Sequence, residues 1–250
     1  MWCLPDDRSK AVITAAEQVH CGGRECRMNL PETAIVFFMS KGTDYLAARY
    51  DAVELPEPFP RFLNRCPIWE IPEWKLCFLD GGRGAPQAAD TVETLAALGV
   101  QNIIAVGMCG AFDDKLRVGE VIAPEKAFVE EGTSLHYYES IRASAPDEEL
   151  LDMVVNLFPV NTDPIVSTDS VYRQTFRKEQ GAVGVDMETS AVFSISRCLG
   201  LRAAALLMVS DIHPMHQDAP KWEWHMTREM KYALAEQGLA LARRLQETQS

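Results

Sequence analysis

The sequence predicts an α/β protein whose sheet is covered by helices on both faces. Apolar runs of strand length alternate with segments carrying apolar residues at a 3.6-residue period. Several of the runs, such as Ala34-Ile35-Val36-Phe37-Phe38 and Ala203 to Val209, are apolar almost throughout, as strands buried on both sides are. With 250 residues, 47% of them hydrophobic, the chain has enough apolar material for a full core.

The elements follow in order. Val12, Ala15, Ala16 and Val19 have helical spacing, and Cys21-Gly22-Gly23 ends that helix. The first strand is Ala34 to Phe38. Asp51 to Arg65, rich in Pro, Glu and aromatics, reads as an irregular surface segment. Lys75 to Leu79 is the next strand, and Gly81-Gly82-Arg83-Gly84-Ala85-Pro86 turns the chain into a helix bearing Ala88, Ala89, Val92, Leu95 and Ala96. Pro86 suits a first helical turn, where its missing N–H costs nothing. Gly99 stops the helix. Ile103 to Val106 is a strand leading into a bend at Gly107-Met108-Cys109-Gly110, and Gly119 to Ala123 is another. A helix starts at Pro146 to Glu149. Strands at Ile165 to Thr168 and Ala182 to Val185, a helix from Thr189 to Leu199, a buried strand from Ala203 to Val209 and a helix from about Trp222 to Gln246 complete the order. There is no repeat, low-complexity tract or linker, so residues 1–250 read as one domain with 1–30 as an N-terminal extension.

A net charge of -12 argues against nucleic-acid or membrane-surface partners, which favour basic patches. No apolar run approaches the roughly 20 residues of a membrane span. The N-terminus lacks a basic region followed by an apolar stretch, so no signal peptide is expected. Seven cysteines, an odd number lying in apolar and loop segments, suit a reducing, cytoplasmic setting. Cys21 and Cys26 could be half a metal site, but no matching pair follows; no metal or cofactor is expected.

The candidate site residues lie at strand ends, where open α/β sheets bind ligands. The Gly81–Pro86 turn either presents backbone N–H groups to a ligand or is simply a tight turn that needs glycine. Gly107 to Gly110 either lets a base or sugar approach the main chain or marks a bend. Asp186 and Glu188, two apart at a strand end, share a face if the strand continues. Glu188 would then accept hydrogen bonds from vicinal hydroxyls, and the alternative for Asp186 is a helix cap. Asp211 follows a buried strand. Desolvation there would raise its pKa and suit a general acid; a turn or cap aspartate is the plainer alternative. His213, His216 and His225 lack zinc spacing and read as exposed loop histidines. Lys221 and Arg228 are candidate steering charges near Asp211.

Together these segments resemble the nucleoside phosphorylase and nucleosidase superfamily, of the purine nucleoside and uridine phosphorylase-like type. The resemblance runs from Ala34 to the last helix. It rests on Gly82-Arg83-Gly84-Ala85-Pro86, Val106 to Gly110, Glu130 to Ser134, Ser167 to Tyr172, Asp186-Met187-Glu188 and Ser210-Asp211. It implies a three-layer α/β/α sandwich around a central mixed sheet, the phosphorylase/hydrolase-like fold. It also implies cleavage of the N-glycosidic bond of a purine nucleoside. Met187 and Glu188 would hold ribose, Asp211 would protonate or hydrogen-bond the base, and Cys109, Gly110 and Tyr172 would line the base pocket. Gly42, Arg83 and Met108 would border phosphate, a co-substrate rather than a cofactor. The resemblance further implies a homo-oligomer (dimer, trimer or hexamer) whose pocket a neighbouring subunit completes.

The chain departs from the family pattern at the anion. Ala47 and Ala105 stand where phosphorylases carry arginines, and Met108 replaces a hydroxyl residue. Losing two guanidinium groups removes bidentate phosphate contacts, for which Arg83, Lys41 or Arg49 would have to substitute. The hydrolytic branch positions water with an acid near the first strand, and Ala34 to Ser40 offers none. Phosphorolysis through an atypical phosphate site is therefore the leading expectation, with a nucleosidase or a non-catalytic nucleoside-binding protein as alternatives.

Overall fold

The computed structural model describes residues 11–20, 28–113, 115–173, 181–214 and 216–249. The chain begins with a short helix α1 (Ala15–Val19), closed by a capping box between Thr14 and Glu17. Strand β1 (Thr33–Phe37) and helix α2 (Gly42–Arg49) follow, then β2 (Val53–Glu54), β3 (Ile68–Ile71), β4 (Leu76–Asp80) and α3 (Ala85–Ala97). The middle contains β5 (Asn102–Ala111), β6 (Val121–Ile122), β7 (Ala127–Glu130), β8 (Ala143–Ser144) and α4 (Glu148–Leu157). The last third contains β9 (Ile165–Thr168), β10 (Gly184–Asp186), α5 (Thr189–Leu199), β11 (Arg202–Ile212) and α6 (Arg228–Gln249). Val12 is exposed and outside α1. Cys21 and Cys26 lie outside the described residues.

One mixed sheet runs β2-β3-β4-β1-β5-β10-β9-β7-β8, with β11 beside β5 and β6 beside β11. The centre is parallel: β4, β1, β5 and β11 all run the same way. Alternation along each central strand divides the core in two. Ala34, Val36, Ile103 and Ala105 face α3 and α5, together with Val92, Leu95, Val192 and Ile195. Ile35, Phe37, Ile104 and Val106 face α2, α4 and α6, together with Leu46, Val154, Leu234 and Leu241. Successive strand residues point to opposite faces, so continuously apolar strands require helices on both sides. The result is an α/β/α sandwich with its parallel strand ends on one edge.

Three expectations change here. The Asp51 to Arg65 segment is not confined to the surface. Phe59 and Arg61 are fully buried, and the Arg61 guanidinium donates to the Asp80 carbonyl at 2.8 Å and to Thr91 at 2.9 Å. Those bonds satisfy an arginine that the local composition marks as exposed. The bend at Gly107 to Gly110 is strand: β5 continues to Ala111, because β11 pairs along its whole length and β10 joins its far end. The last helix starts at Arg228 rather than near Trp222. None of the described helices is long and apolar enough to cross a membrane.

Candidate active site

The ends of β5, β10 and β11 and the turn after β4 enclose a cavity of about 440 Å³. Glu188 stands at one end and Asp211 at another, and both are buried.

The Glu188 end is built by a strand giving way to a helix. Asp186 is the last residue of β10. Its carboxylate accepts from the Thr189 N–H at 3.0 Å, from the Thr189 hydroxyl and from Ser167 Oγ at 2.5 Å. It therefore anchors the start of α5, with both oxygens already accepting from the protein. Met187 and Glu188 are the two residues between strand and helix, and both line the cavity. Glu188 Oε1 accepts the Gly84 N–H at 2.5 Å. Oε2 is not the oxygen the Gly84 N–H holds, and Glu188 lines the cavity, where a hydroxyl could reach it. Burial, and next the Asp186 charge, push the Glu188 carboxyl up to about 7, against the Gly84 N–H and Arg83. Burial likewise raises Asp186, opposed by its serine and threonine donors.

The glycine turn serves the protein, not a ligand. The Gly81 N–H donates to the Phe37 carbonyl at 2.9 Å, that of Gly82 to Asp80 at 2.8 Å and that of Arg83 to Gln87 at 2.6 Å. Gly82 and Gly84 have φ of 83° and 81°, a region L side chains rarely adopt. The tight-turn reading holds, and the N–H groups do not form a ligand cradle. The one that reaches the site orients Glu188.

The Asp211 end depends on an irregularity in β11. Register with β5 shifts between Val209 and Asp211, so Ser210 is an extra residue and Asp211 pairs with Gly110. Such a bulge re-aims the side chain that follows it. Asp211 Oδ1 faces Ser210 Oγ at 2.5 Å, and Oδ2 faces Trp222 Nε1 at 2.6 Å and His213 Nε2 at 3.1 Å. Burial alone would raise the carboxyl, but the hydrogen bonds from His213, Ser210 and Trp222 outweigh it and hold the pKa below 3.8. The expectation of a raised pKa is thus overturned: desolvation is real, and three donors override it. His213 is no exposed loop residue either. Its side chain is 25% exposed and pinned to Asp211.

Arg83, Met108, Cys109, Gly110 and Tyr172 also border the cavity. Tyr172 is 96% exposed, so it stands at the mouth rather than against an enclosed base. Gly42 does not border it; a Cβ there would strike the Phe37 ring at 2.3 Å, so this glycine admits a core phenylalanine. Ala47 and Ala105 lie in or against the two cores, and Lys41 and Arg49 pair with Asp44 and Glu236. Glu131 accepts from Ser134 and Ser190, fastening the start of α5 rather than reaching the cavity. Lys221 borders a neighbouring cavity instead.

Sequence reasoning missed His213, Trp222, Phe38 and Lys231. Phe38 lines the cavity beside Gly81 and Gly107. Lys231 Nζ donates to Ser40 at 2.9 Å; burial, and then repulsion from Arg83 and Lys41, lower its pKa. Lys231 thus feels two other cations near the Arg83 side of the site. The legible signal for His213 was its two-residue offset from Asp211 on extended chain. Lys231, far away in sequence on α6, offered none. Among the described residues no group of three or more His, Cys, Asp or Glu could hold a metal ion.

A strand-end cavity with two buried carboxylates of opposite titration defines a small-molecule site in an α/β sandwich. Residues 33–241 match the phosphorylase superfamily, and the chain belongs to that family. It is 33% identical over 138 residues to a guanosine phosphorylase of Halorubrum lacusprofundi, covering 51% of this chain and 57% of that one. It is 31% identical over 149 residues to a DeoD-type purine nucleoside phosphorylase of Vibrio cholerae, covering 55% of this chain and 63% of that one. The matched parts therefore span less than two thirds of these curated relatives. In structure it is similar to the Toxoplasma gondii purine nucleoside phosphorylase in complex with immucillin-H, with TM-score 0.74, 18% identity and coverage of 88% and 93%. It is also similar to a Bacteroides thetaiotaomicron AMP nucleosidase, with TM-score 0.65, 19% identity and coverage of 87% and 91%. The mixed-sheet phosphorylase-like fold is common to all three.

Proposed function

We propose that the protein cleaves the N-glycosidic bond of a purine nucleoside by phosphorolysis, releasing base and pentose 1-phosphate. The observation that carries this reading is that Glu188 and Asp211 are both buried and border one cavity. Glu188 Oε2 accepts from the sugar's vicinal hydroxyls, which suit a carboxylate because each oxygen can take a hydrogen bond. Met187 lies under the sugar. Asp211 faces the base. As the bond breaks, positive charge develops on the sugar and negative charge on the base, and an anion beside the sugar and a proton at the base stabilise both. Arg83 borders the cavity while pairing with Asp80 at 3.3 Å, and its charge, with that of Lys41, acts on Lys231; this cationic side supports phosphate as the nucleophile.

A second reading, hydrolysis, is favoured by Phe38 and Met108. They make the cavity wall beside Gly107 apolar where phosphorylases place phosphate-binding groups. Base release from inosine, adenosine and guanosine, measured with and without phosphate, separates the two. Phosphate-dependent release supports phosphorolysis, and release independent of phosphate supports hydrolysis. No release from any nucleoside under either condition overturns both. With phosphorolysis, Lys231→Met raises the KM for phosphate about fivefold, the scale of one charge-assisted contact at a partly exposed position.

The reading includes a homo-oligomer. Val171, Tyr172, Trp222 and Trp224 border the cavity yet are at least half exposed, an apolar rim that a second subunit would cover. Light scattering at working concentration tests it, and a monomer alone would contradict it.

A further inference from the structure

Asp211 sits where two cavities nearly meet. The second, of about 670 Å³, adjoins the first at His213 and Pro214 and carries Lys221, Glu223, His216 and His225. We propose that His213 feeds protons to Asp211 from this second cavity, so that the pair, rather than Asp211 alone, protonates the departing base. The inference rests on the glycosidic cleavage proposed above and adds a source for its proton.

Three observations support it. Asp211 is only 3% exposed, and its side-chain hydrogen-bonding partners among the described residues are Ser210, Trp222 and His213. Of these donors only an imidazole gains and loses a proton readily near neutral pH; a hydroxyl and an indole do not. The imidazole borders both cavities, with Nε2 at 3.1 Å from Asp211 Oδ2. A nucleoside filling the first cavity would leave the second as the polar route to that carboxylate. The ring is also held in place: its backbone N–H donates to the Ala111 carbonyl at 2.7 Å. A Cβ at position 110 would lie 2.2 Å from Nε2, so Gly110 is required by the imidazole itself.

The step balances with phosphate, the co-substrate of the proposed reaction. A phosphate oxygen bonds to C1′ as the C1′–N bond breaks, and that bond's electron pair stays on the base. Asp211 Oδ2 takes the Nε2 proton of the imidazolium as it passes a proton to a ring nitrogen. The neutral imidazole regains a proton from water in the second cavity. His213 acts through Asp211 and is a proton-supplying residue rather than a catalytic one.

The test compares two leaving groups in the full-length protein with phosphate present. Guanosine needs a proton on its departing base. In 7-methylguanosine the ring already carries positive charge, so it does not. His213→Gln and His213→Asn should lower kcat on guanosine about 100-fold, the usual size of one general-acid contribution. On 7-methylguanosine kcat should stay within about threefold, with thermal melts showing both variants folded. That selective loss supports the relay. Equal losses on both substrates would make His213 merely structural, and no loss on either would show that Asp211 is protonated another way; either result overturns the proposal. If the unmodified protein cleaves neither nucleoside, the cleavage reading fails and the relay with it; if it cleaves them and only the selectivity is absent, the relay alone fails.

Discussion

The two ends of the cavity solve the same electrostatic problem in opposite ways. Glu188 is buried beside another carboxylate with only backbone donors, the N–H groups of Gly84 and Met187, and its pKa rises to about 7. Asp211 is buried with three side-chain donors, and its pKa falls. Burial is the largest influence on both, so burial alone does not determine charge. Donor number alone does not decide either, because Asp186 accepts from Ser167 and Thr189 and burial still raises it; the balance of burial, neighbouring charge and donors does. Each arrangement has a local cause: a two-residue turn between β10 and α5 at one end, a bulge in β11 at the other. A carboxyl that titrates near neutrality can gain its charge when sugar hydroxyls arrive as donors. One that is already ionised can hold a cationic donor beside it.

The largest expected effect comes from the Asp211 end. Asp211→Ala should reduce kcat for base release about 10³-fold, or about 4 kcal/mol, measured by steady-state kinetics on guanosine. A loss below tenfold would mean the two ends do not divide the work as described.

The next tests the Glu188 end through stability. Its folded pKa of about 7 lies above the ordinary 4.5. The folded state therefore keeps a proton that the unfolded state releases. This contribution is fully present below pH 4.5 and is lost as pH rises through about 7. Relative to Glu188→Gln, the unmodified protein should lose about 3 kcal/mol between pH 4.5 and pH 8 in denaturant titrations. Asp211 has the opposite sign: its contribution is present above 3.8 and disappears only as pH falls further. A flat difference between the two proteins would show that Glu188 is ionised throughout.

Binding sharpens the contrast. Glu188→Gln should weaken ribonucleoside affinity about 10- to 100-fold, as expected for hydrogen bonds to a charged group. It should cost a 2′-deoxynucleoside less, which calorimetry would resolve. Equal losses for both sugars would place the diol elsewhere. The smallest effect is that of Trp222→Phe, which removes one of three donors from Asp211. The carboxyl pKa should rise by about one unit in an NMR titration, with kcat changed less than about tenfold. An unmoved pKa would assign the depression to His213 and Ser210 alone.

Much of this architecture was legible where the determinants are local. The range of α5, Thr189–Leu199, and that of β9, Ile165–Thr168, follow directly from apolar periodicity. So does the placing of Glu188 and Asp211 at strand ends. Where distant partners decide, the pattern misleads. Gly107 to Gly110 looks like a bend, yet pairing with β11 and β10 draws it into the sheet. β3, β7 and β8 are short, and their pairing, not their composition, makes them strands. The Asp211 pKa could not be read from its strand, because Trp222 comes from a segment eleven residues on and the bulge that aims the carboxylate has no sequence marker. The same holds for the glycine turn, whose N–H groups find acceptors on Phe37, Asp80, Gln87 and Glu188.

The most direct measurement is a crystal structure with a bound purine nucleoside. The account expects the 2′ and 3′ hydroxyls within hydrogen-bonding distance of Glu188 Oε2 and a ring nitrogen of the base facing Asp211. A nucleoside seated elsewhere, or lying in the cavity with its sugar against Asp211, would contradict it.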